Sequence, residues 1–268
     1  MFRDSVRESF ARIPLLDSLF RRILWSRVHF PERELKLLHL LNDRPFDVVF
    51  DVGAALGSYT WVLERKASKV YAFEPGDAHF KNLSAGAMLS RVTVVNAAVG
   101  LEAGELTLYT PGASNDARHM ATLSLDNPVS KVSNVEEASV RVICLDEFAE
   151  SNLKSPQTLD LLKIDVEGYE NEVLKGAAGL ISKFHPIIIA EIEARHNQSF
   201  RFPFEFLGDL GYEAFAYIGG EYRKILVDEV ANIKPPSENW DNSNRSKSAY
   251  VNNFVFQHKQ SLVQLIKQ

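Results

Sequence analysis

A chain of 268 residues with 46% hydrophobic content is long enough for one large domain, or a domain with an appendage, around a sizeable core. A net charge of −5 shows none of the basic excess expected of a nucleic-acid binder, and the single cysteine, Cys144, excludes an intramolecular disulfide and fits a reducing compartment. No apolar run approaches the length of a membrane span, and the N-terminus lacks the pattern of a secretory signal, so a soluble, cytoplasmic protein is expected.

Residues 1–30 carry six arginines (Arg3, Arg7, Arg12, Arg21, Arg22, Arg27) against Asp4, Glu8 and Asp17. Phe10, Ile13, Leu16, Leu19, Phe20, Ile23 and Leu24 recur at near-helical spacing, and Pro14 starts or breaks a helix. Two readings follow. One is a helix packed on the body; the other is a basic amphipathic segment peripheral to the inner face of a membrane or meeting a lipid-linked substrate. From residue 46 the pattern alternates. "FDVVFDVG" (46–53) predicts a strand, 59–67 a helix, "KVYAFEP" (69–75) a strand, 79–89 a helix and "RVTVVNAAVG" (91–100) a strand. An added strand is predicted at 104–110, a long polar loop over 111–138, and a short strand and helix over 139–150. "TLDLLKIDVEG" (158–168) reads as a strand, 169–182 as a helix, "PIIIAEIE" (186–193) as a strand and 200–211 as a helix. Late strands follow, including 252–258, with a second polar loop at 234–248. Alternating strands and helices imply βαβ units and a parallel sheet. The boundaries expected are an N-terminal helical, basic amphipathic appendage over 1–45, a main α/β domain over 46–258 and a tail over 259–268.

"VVFDVGAALGSYT" (48–60) puts Asp51 at a strand end and Gly53 and Gly57 in the turn to a helix, where glycines let the backbone approach a ligand. It is not a dinucleotide fingerprint, because Ala55 and Ser58 stand where GxGxxG needs glycine. Glu74 ends the next strand about 20 residues past the first glycine, where a carboxylate can accept both ribose hydroxyl protons. The turn has no lysine or paired glycines for a pyrophosphate, which favours S-adenosylmethionine (SAM) over NAD. Plain structural alternatives are a tight turn at Gly53 and an exposed strand-end acid at Glu74.

Together, "FDVGAALGSYT", "VYAFEP", "LDEF", "LLKIDVEGYENEVLKGA" and "IIIAEI", in order over 50–192, resemble the FkbM family of class I SAM-dependent methyltransferases. "KIDVEG" is the most specific block. The family usually has asparagine where this chain has Ala55. The resemblance implies a Rossmann-like α/β fold with helices on both faces of a seven-stranded sheet, order 3-2-1-4-5-7-6, only the seventh strand antiparallel. It implies SAM beside Asp51, Gly53, Gly57 and Glu74, with Asn96 and Ala97 near the adenine. It also implies methylation of a hydroxyl on a saccharide or glycoconjugate, or on a polyketide-type or other small molecule.

Lys163, Asp165 and Glu167 alternate with apolar residues, so a continuous strand would aim all three charges to one face. At the carboxyl end of the fourth strand, Asp165 and Glu167 would act as base and orienter, bind sugar hydroxyls, or hold a cation. Mg²⁺ would be held by Asp165 with Glu191 of the fifth strand. The structural alternative pairs Lys163 with Asp165 and makes Glu167 a helix-capping acid. His196, after the fifth strand, and His119, in the long loop, are further candidates for the base. Thr122 and Ser124 are placed in the acceptor pocket. An NAD-dependent dehydrogenase or epimerase is the competing class, but no Tyr-x-x-x-Lys pair occurs; a non-catalytic SAM binder is the third reading.

Overall fold

The computed structural model describes residues 19–24, 33–41, 45–88, 90–112, 121–125, 127–131, 134–193, 199–230 and 251–266. Its elements begin with α1 (Arg33–Leu40), β1 (Phe46–Val52), α2 (Ser58–Leu63), β2 (Ala67–Phe73), α3 (Asp77–Ala87) and β3 (Val92–Val95). Then come β4 (Ala98–Gly100), β5 (Gly104–Pro111), β6 (Val135–Cys144), α4 (Leu145–Asn152), β7 (Leu159–Ile164), α5 (Glu170–Lys175) and α6 (Ala178–Phe184). The chain closes with β8 (Ile187–Glu191), α7 (Phe202–Asp209), β9 (Tyr212–Ile218), β10 (Glu221–Ile225), α8 (Val227–Val230) and β11 (Asn253–His258).

The main sheet runs β10-β9-β11-β8-β7-β1-β2-β3. Pairs β1–β2, β1–β7, β2–β3 and β7–β8 are parallel, and β11 is antiparallel to both neighbours. Without β10 this is the expected order. The eighth strand is added by a two-residue turn at Gly219–Gly220, both at positive φ, which the twist of a tight hairpin requires. A second sheet, β4-β6-β5, stands beside the first. It divides the predicted 91–100 strand in two, with β3 in one sheet and β4 in the other. The long polar loop is also shorter than predicted, because β6 already begins at Val135.

Side-chain alternation assigns the two faces of the main sheet. Val48, Phe50, Val52, Leu162, Ile164 and Ile188 belong to one core, and Val49, Leu161, Ile187 and Ile189 to the other. Phe50, Tyr71, Phe73 and Phe148 interlock edge to face in the first core, with centroids 5.0–5.7 Å apart. Asp51 and Lys163 share the parity of the second, beneath α1 and α2. Described segments on both sides of the sheet region in sequence reach that second core. Leu35 and Leu38 of α1 are buried in it, as are Leu265 and Ile266, whose amides donate to Gln257 Oε1 at 2.8 and 3.1 Å. Arg22 is ion-paired with Glu64 at 2.5 Å. Of the arginine-rich 1–30 segment only residues 19–24, which are helical, are described; the rest lies outside the described residues.

The predicted 169–182 helix is two helices. Gly176 separates them, and a Cβ there would lie 2.1 Å from the Gly100 carbonyl oxygen of β4. The Asp146 carboxylate then caps α6, accepting from the amides of Gly179 and Leu180 at 2.9 and 2.8 Å. No helix among the described residues is long and apolar enough to cross a membrane.

Candidate active site

The turn after β1 is locked to the end of β2. The amides of Gly53 and Ala54 both donate to the Phe73 carbonyl, at 3.0 and 3.1 Å. Gly53 has φ +77, and a Cβ on it would sit 1.8 Å from the Asp165 carbonyl oxygen, so only glycine lets β1 and β7 exit this close together. Ala55 is also left-handed, φ +45. That conformation costs a non-glycine residue on the order of 1 kcal/mol, and asparagine adopts it more readily than alanine. What holds Ala55 there is visible: its amide donates to Glu74 Oε2 at 2.8 Å. The other carboxylate oxygen, Oε1, accepts from the Gly76 amide at 2.7 Å, with His79 Nδ1 at 3.8 Å. Glu74 is thus fixed by two backbone donors, leaving further lone pairs on each oxygen.

Below the turn, the Asp51 carboxylate is 1% exposed and accepts from Thr60 Oγ1 at 2.5 Å. Burial pushes its carboxyl up to about 6, against the opposing pull of the Thr60 hydroxyl and the Lys163 ammonium. Lys163 is Asp51's direct neighbour on β7 and is likewise 1% exposed. Its Nζ donates to the Ile164 carbonyl at 3.2 Å, lies 4.7 Å above the Tyr59 ring and stands 3.4 Å from Asp165 Oδ2. This buried cation, unexplained as an isolated letter of the sequence, balances acids along one sheet face. Glu34 of α1 lies close enough for its charge to be felt, and burial raises the Glu34 carboxyl.

β7 ends at Ile164, earlier than predicted, and this corrects the continuous charged face expected through Glu167. Lys163 and Asp165 do meet. Glu167 instead lies in a turn, left-handed at φ +48, followed by Gly168 at φ +95. Its carbonyl accepts from Thr122 Oγ1 at 2.7 Å and from Asn127 Nδ2 at 2.6 Å. Thr122 therefore does not line the acceptor pocket with its hydroxyl; Ala121 and Leu123, on either side of it, face the pocket.

One pocket gathers most of these groups. It spans about 540 Å³, open solvent included, and is lined by Gly53, Ala55, Glu74, His79, Asp165 and Glu167 among others. Phe73, Ala97, Ala98 and Val99 give it an apolar floor. Of the candidate residues, Gly53, Glu74, Ala97, Asp165 and Glu167 line it. Asp51 supports from beneath. Gly57, φ +89, fits against Trp61 and Leu83, and a Cβ there would lie 2.6 Å from Trp61 Nε1. Asn96 is exposed, and its amide donates to the Glu74 and Pro75 carbonyls at 3.1 and 3.2 Å. Glu191 pairs with the Asn252 side-chain amide, which also reaches Glu193 Oε1 at 3.2 Å. Among the described residues no three His, Cys, Asp or Glu side chains gather as a metal site, and Asp165 and Glu191 have Lys163 and Asn252 as partners instead. His119 and His196 lie outside the described residues. Asn127, His79 and the Ala55 amide escaped the sequence reading: Asn127 and the Ala55 amide meet partners 40 and 19 positions away, and His79 meets Glu74 from the first turn of the following helix.

Comparison with known proteins bears on this arrangement. The family described as "Methyltransferase FkbM domain" matches residues 51–214. The hexuronic acid methyltransferase AglP of Haloferax volcanii is 31% identical over 163 residues, 61% of this chain and 63% of its own length. The 31-O-demethyl-FK506 methyltransferase FkbM of Streptomyces tacrolimicus is 34% identical over 184 residues, 59% of this chain and 67% of its own. Among solved structures, a methyltransferase FkbM from Methylobacillus flagellatus covers 94% of this chain and 57% of its own, at 15% identity and a TM-score of 0.46. The match to AglP thus spans a little under two thirds of that protein.

Proposed function

This chain belongs to the FkbM methyltransferase family, and we propose that it transfers a methyl group from SAM to a hydroxyl of a saccharide or glycoconjugate. The observation that carries this reading is Glu74, held by the amides of Ala55 and Gly76 in the lining of a pocket that Asp165 also lines. The residues suit a nucleoside. Glu74 keeps acceptor capacity for two ribose hydroxyls, and Phe73, Ala97, Ala98 and Val99 offer an apolar bed for a purine. When bound there, SAM supplies an electrophilic methyl group.

The chain's own work is orientation and proton removal. Asp165 is the group to take the proton from the acceptor hydroxyl, and the Lys163 ammonium 3.4 Å away fixes the carboxylate in place. Glu167, in the same turn, orients the acceptor. Two carboxylates at one mouth suit a polyhydroxylated partner, and AglP, a hexuronic acid methyltransferase by name, supports that class. The relative named as a 31-O-demethyl-FK506 methyltransferase supports the second acceptor class, a polyketide-type or other small-molecule hydroxyl. The family block covers 51–214, and we take 46–258 as the catalytic domain, with 33–41 and 259–266 packed on it.

Calorimetry with SAM and with NAD tests the cofactor. SAM should bind and NAD should not, and Glu74→Ala should weaken SAM by roughly 10- to 100-fold, the loss of hydrogen bonds to a charged acceptor. NAD binding without SAM binding would overturn the reading. Mass spectrometry after incubation with uronic-acid oligosaccharides or a macrolide alcohol then reads which acceptor gains a methyl group.

A further inference from the structure

The second sheet carries a short strap to the mouth of the pocket. Thr122 bridges to the edge of β5 through two backbone hydrogen bonds with Tyr109, at 2.8 and 2.9 Å. Its Oγ1 donates to the Glu167 carbonyl and itself accepts from the Ser124 amide at 3.0 Å. Asn127, five residues on, donates to the same Glu167 carbonyl. Thr122 is 1% exposed and Asn127 0%. Two polar side chains this deeply buried are rarely spent on one oxygen unless that oxygen has to be held still.

The held oxygen belongs to an unfavourable backbone. Glu167 is left-handed without being glycine or asparagine, and Gly168 follows with positive φ. At the other end of the same turn, the Asp165 amide donates to the Val52 carbonyl at 3.0 Å. The turn is anchored to the sheet at Asp165 and to the strap at Glu167. Asp165, Val166 and Glu167, the residues between those anchors, all line the pocket.

We propose that Thr122 and Asn127 are positioning residues for methyl transfer, which hold the Asp165–Gly168 turn in its left-handed form and so set where the Asp165 and Glu167 carboxylates stand against the acceptor hydroxyl. This rests on the functional reading above and adds the strap to it. The effect acts on transfer rather than on nucleoside binding, because Glu74 and the Gly53 turn are held by separate bonds. It also gives the second sheet a task, to bring Thr122 to a loop 45 residues further along the chain.

Thr122→Val keeps the β-branched shape and removes the donor. It should lower kcat at least tenfold, with SAM affinity and acceptor KM within about threefold of wild type. Thr122→Ser, which restores a hydroxyl, should return kcat to within about threefold. Asn127→Leu should act in the same direction, and the double variant should lose less than the product of the two, since both serve one oxygen. A kcat within twofold of wild type in Thr122→Val, whatever happens to its melting temperature, would overturn the proposal. Should that variant not fold, Thr122→Cys, a weak donor of similar size, replaces it. Hydrogen exchange of the Val166–Gly168 amides gives a reading that needs no acceptor: exchange should quicken at least tenfold in the valine variant and stay unchanged in the serine one. Equal exchange in all three proteins counts against the latch. A wild-type protein that transfers no methyl group defeats the proposed function instead, and with it the catalytic half of this inference.

Discussion

Asp51 makes the wild-type protein less stable at neutral pH than a neutral residue of the same shape would. Asp51→Asn keeps an oxygen for the Thr60 hydroxyl and removes the charge. The carboxyl is held at about 6 in the fold against 3.8 ordinarily. At about 1.4 kcal/mol per tenfold change in proton affinity, the ionised group costs the folded state on the order of 3 kcal/mol. The sign follows from proton counting. Below about 4 the carboxyl is protonated both folded and unfolded, and the fold keeps its full stability. Between about 4 and 6 the folded protein binds the extra proton, so stability falls as pH rises through that window and stays reduced above it. The attraction of the Lys163 ammonium is already contained in that value, so the gain expected of the variant at pH 7 is on the order of 3 kcal/mol. In a protein of this length that is several degrees of melting temperature. Urea unfolding of both proteins at steps from pH 4 to 7.5 measures the gap. It should be smallest near pH 4 and full above about pH 6.5, in favour of the variant. A gap that does not change with pH, or a wild type that is the more stable at pH 7.5, would refute the argument, the latter by showing that the attraction of Lys163 outweighs burial.

Gly53→Ala must place a methyl group 1.8 Å from the Asp165 carbonyl oxygen at φ +77; a loss of about 2–4 kcal/mol in urea unfolding is expected, and an unchanged midpoint would show that the β1 and β7 exits separate freely. Asp165→Asn should leave the circular dichroism intact and reduce turnover by roughly a hundredfold or more, and normal turnover would demote Asp165 to a structural partner of Lys163. Leu265→Ala should cost about 2–4 kcal/mol, whereas Leu262→Ala, at a position 73% exposed, should cost under about 0.5. Equal effects at the two positions would remove the C-terminal segment from the core.

The parallel sheet was legible because each of its strands is a short apolar run bounded by a turn, a signal that depends on near neighbours only. The same holds for Glu74, which sits at a strand end at a distance from Gly53 set by one βα unit. Features that depend on distant partners were not legible. The 91–100 run reads as one strand because both halves are apolar, yet β3 pairs with β2 and β4 with β6. The helix predicted over 169–182 has an unbroken helical pattern, and only the approach of Gly100 to Gly176 shows why it divides. Glu167 keeps the alternation of a strand while its backbone has already turned, because Asn127, 40 residues earlier, holds its carbonyl. Thr122 reads as a loop threonine for the same reason. Lys163 stood out as a charge in an apolar run, but its partners Tyr59 and Asp51 are about a hundred residues away and could not be named from its own neighbourhood.

The order of the main sheet also constrains how the protein is made. β11 is the last strand in sequence, yet it lies between β8 and β9 and pairs with both. A ribosome releases β8 and β9 first, each with an unpaired edge rich in isoleucine, alanine and aromatic residues. The strand that joins them follows only some 35 residues after β9 has emerged. During that interval the sheet is in two pieces, with open edges of the kind that recruit other chains. A nascent chain arrested before Asn253 should therefore bind chaperones or aggregate, and one extended past Ile266 should not.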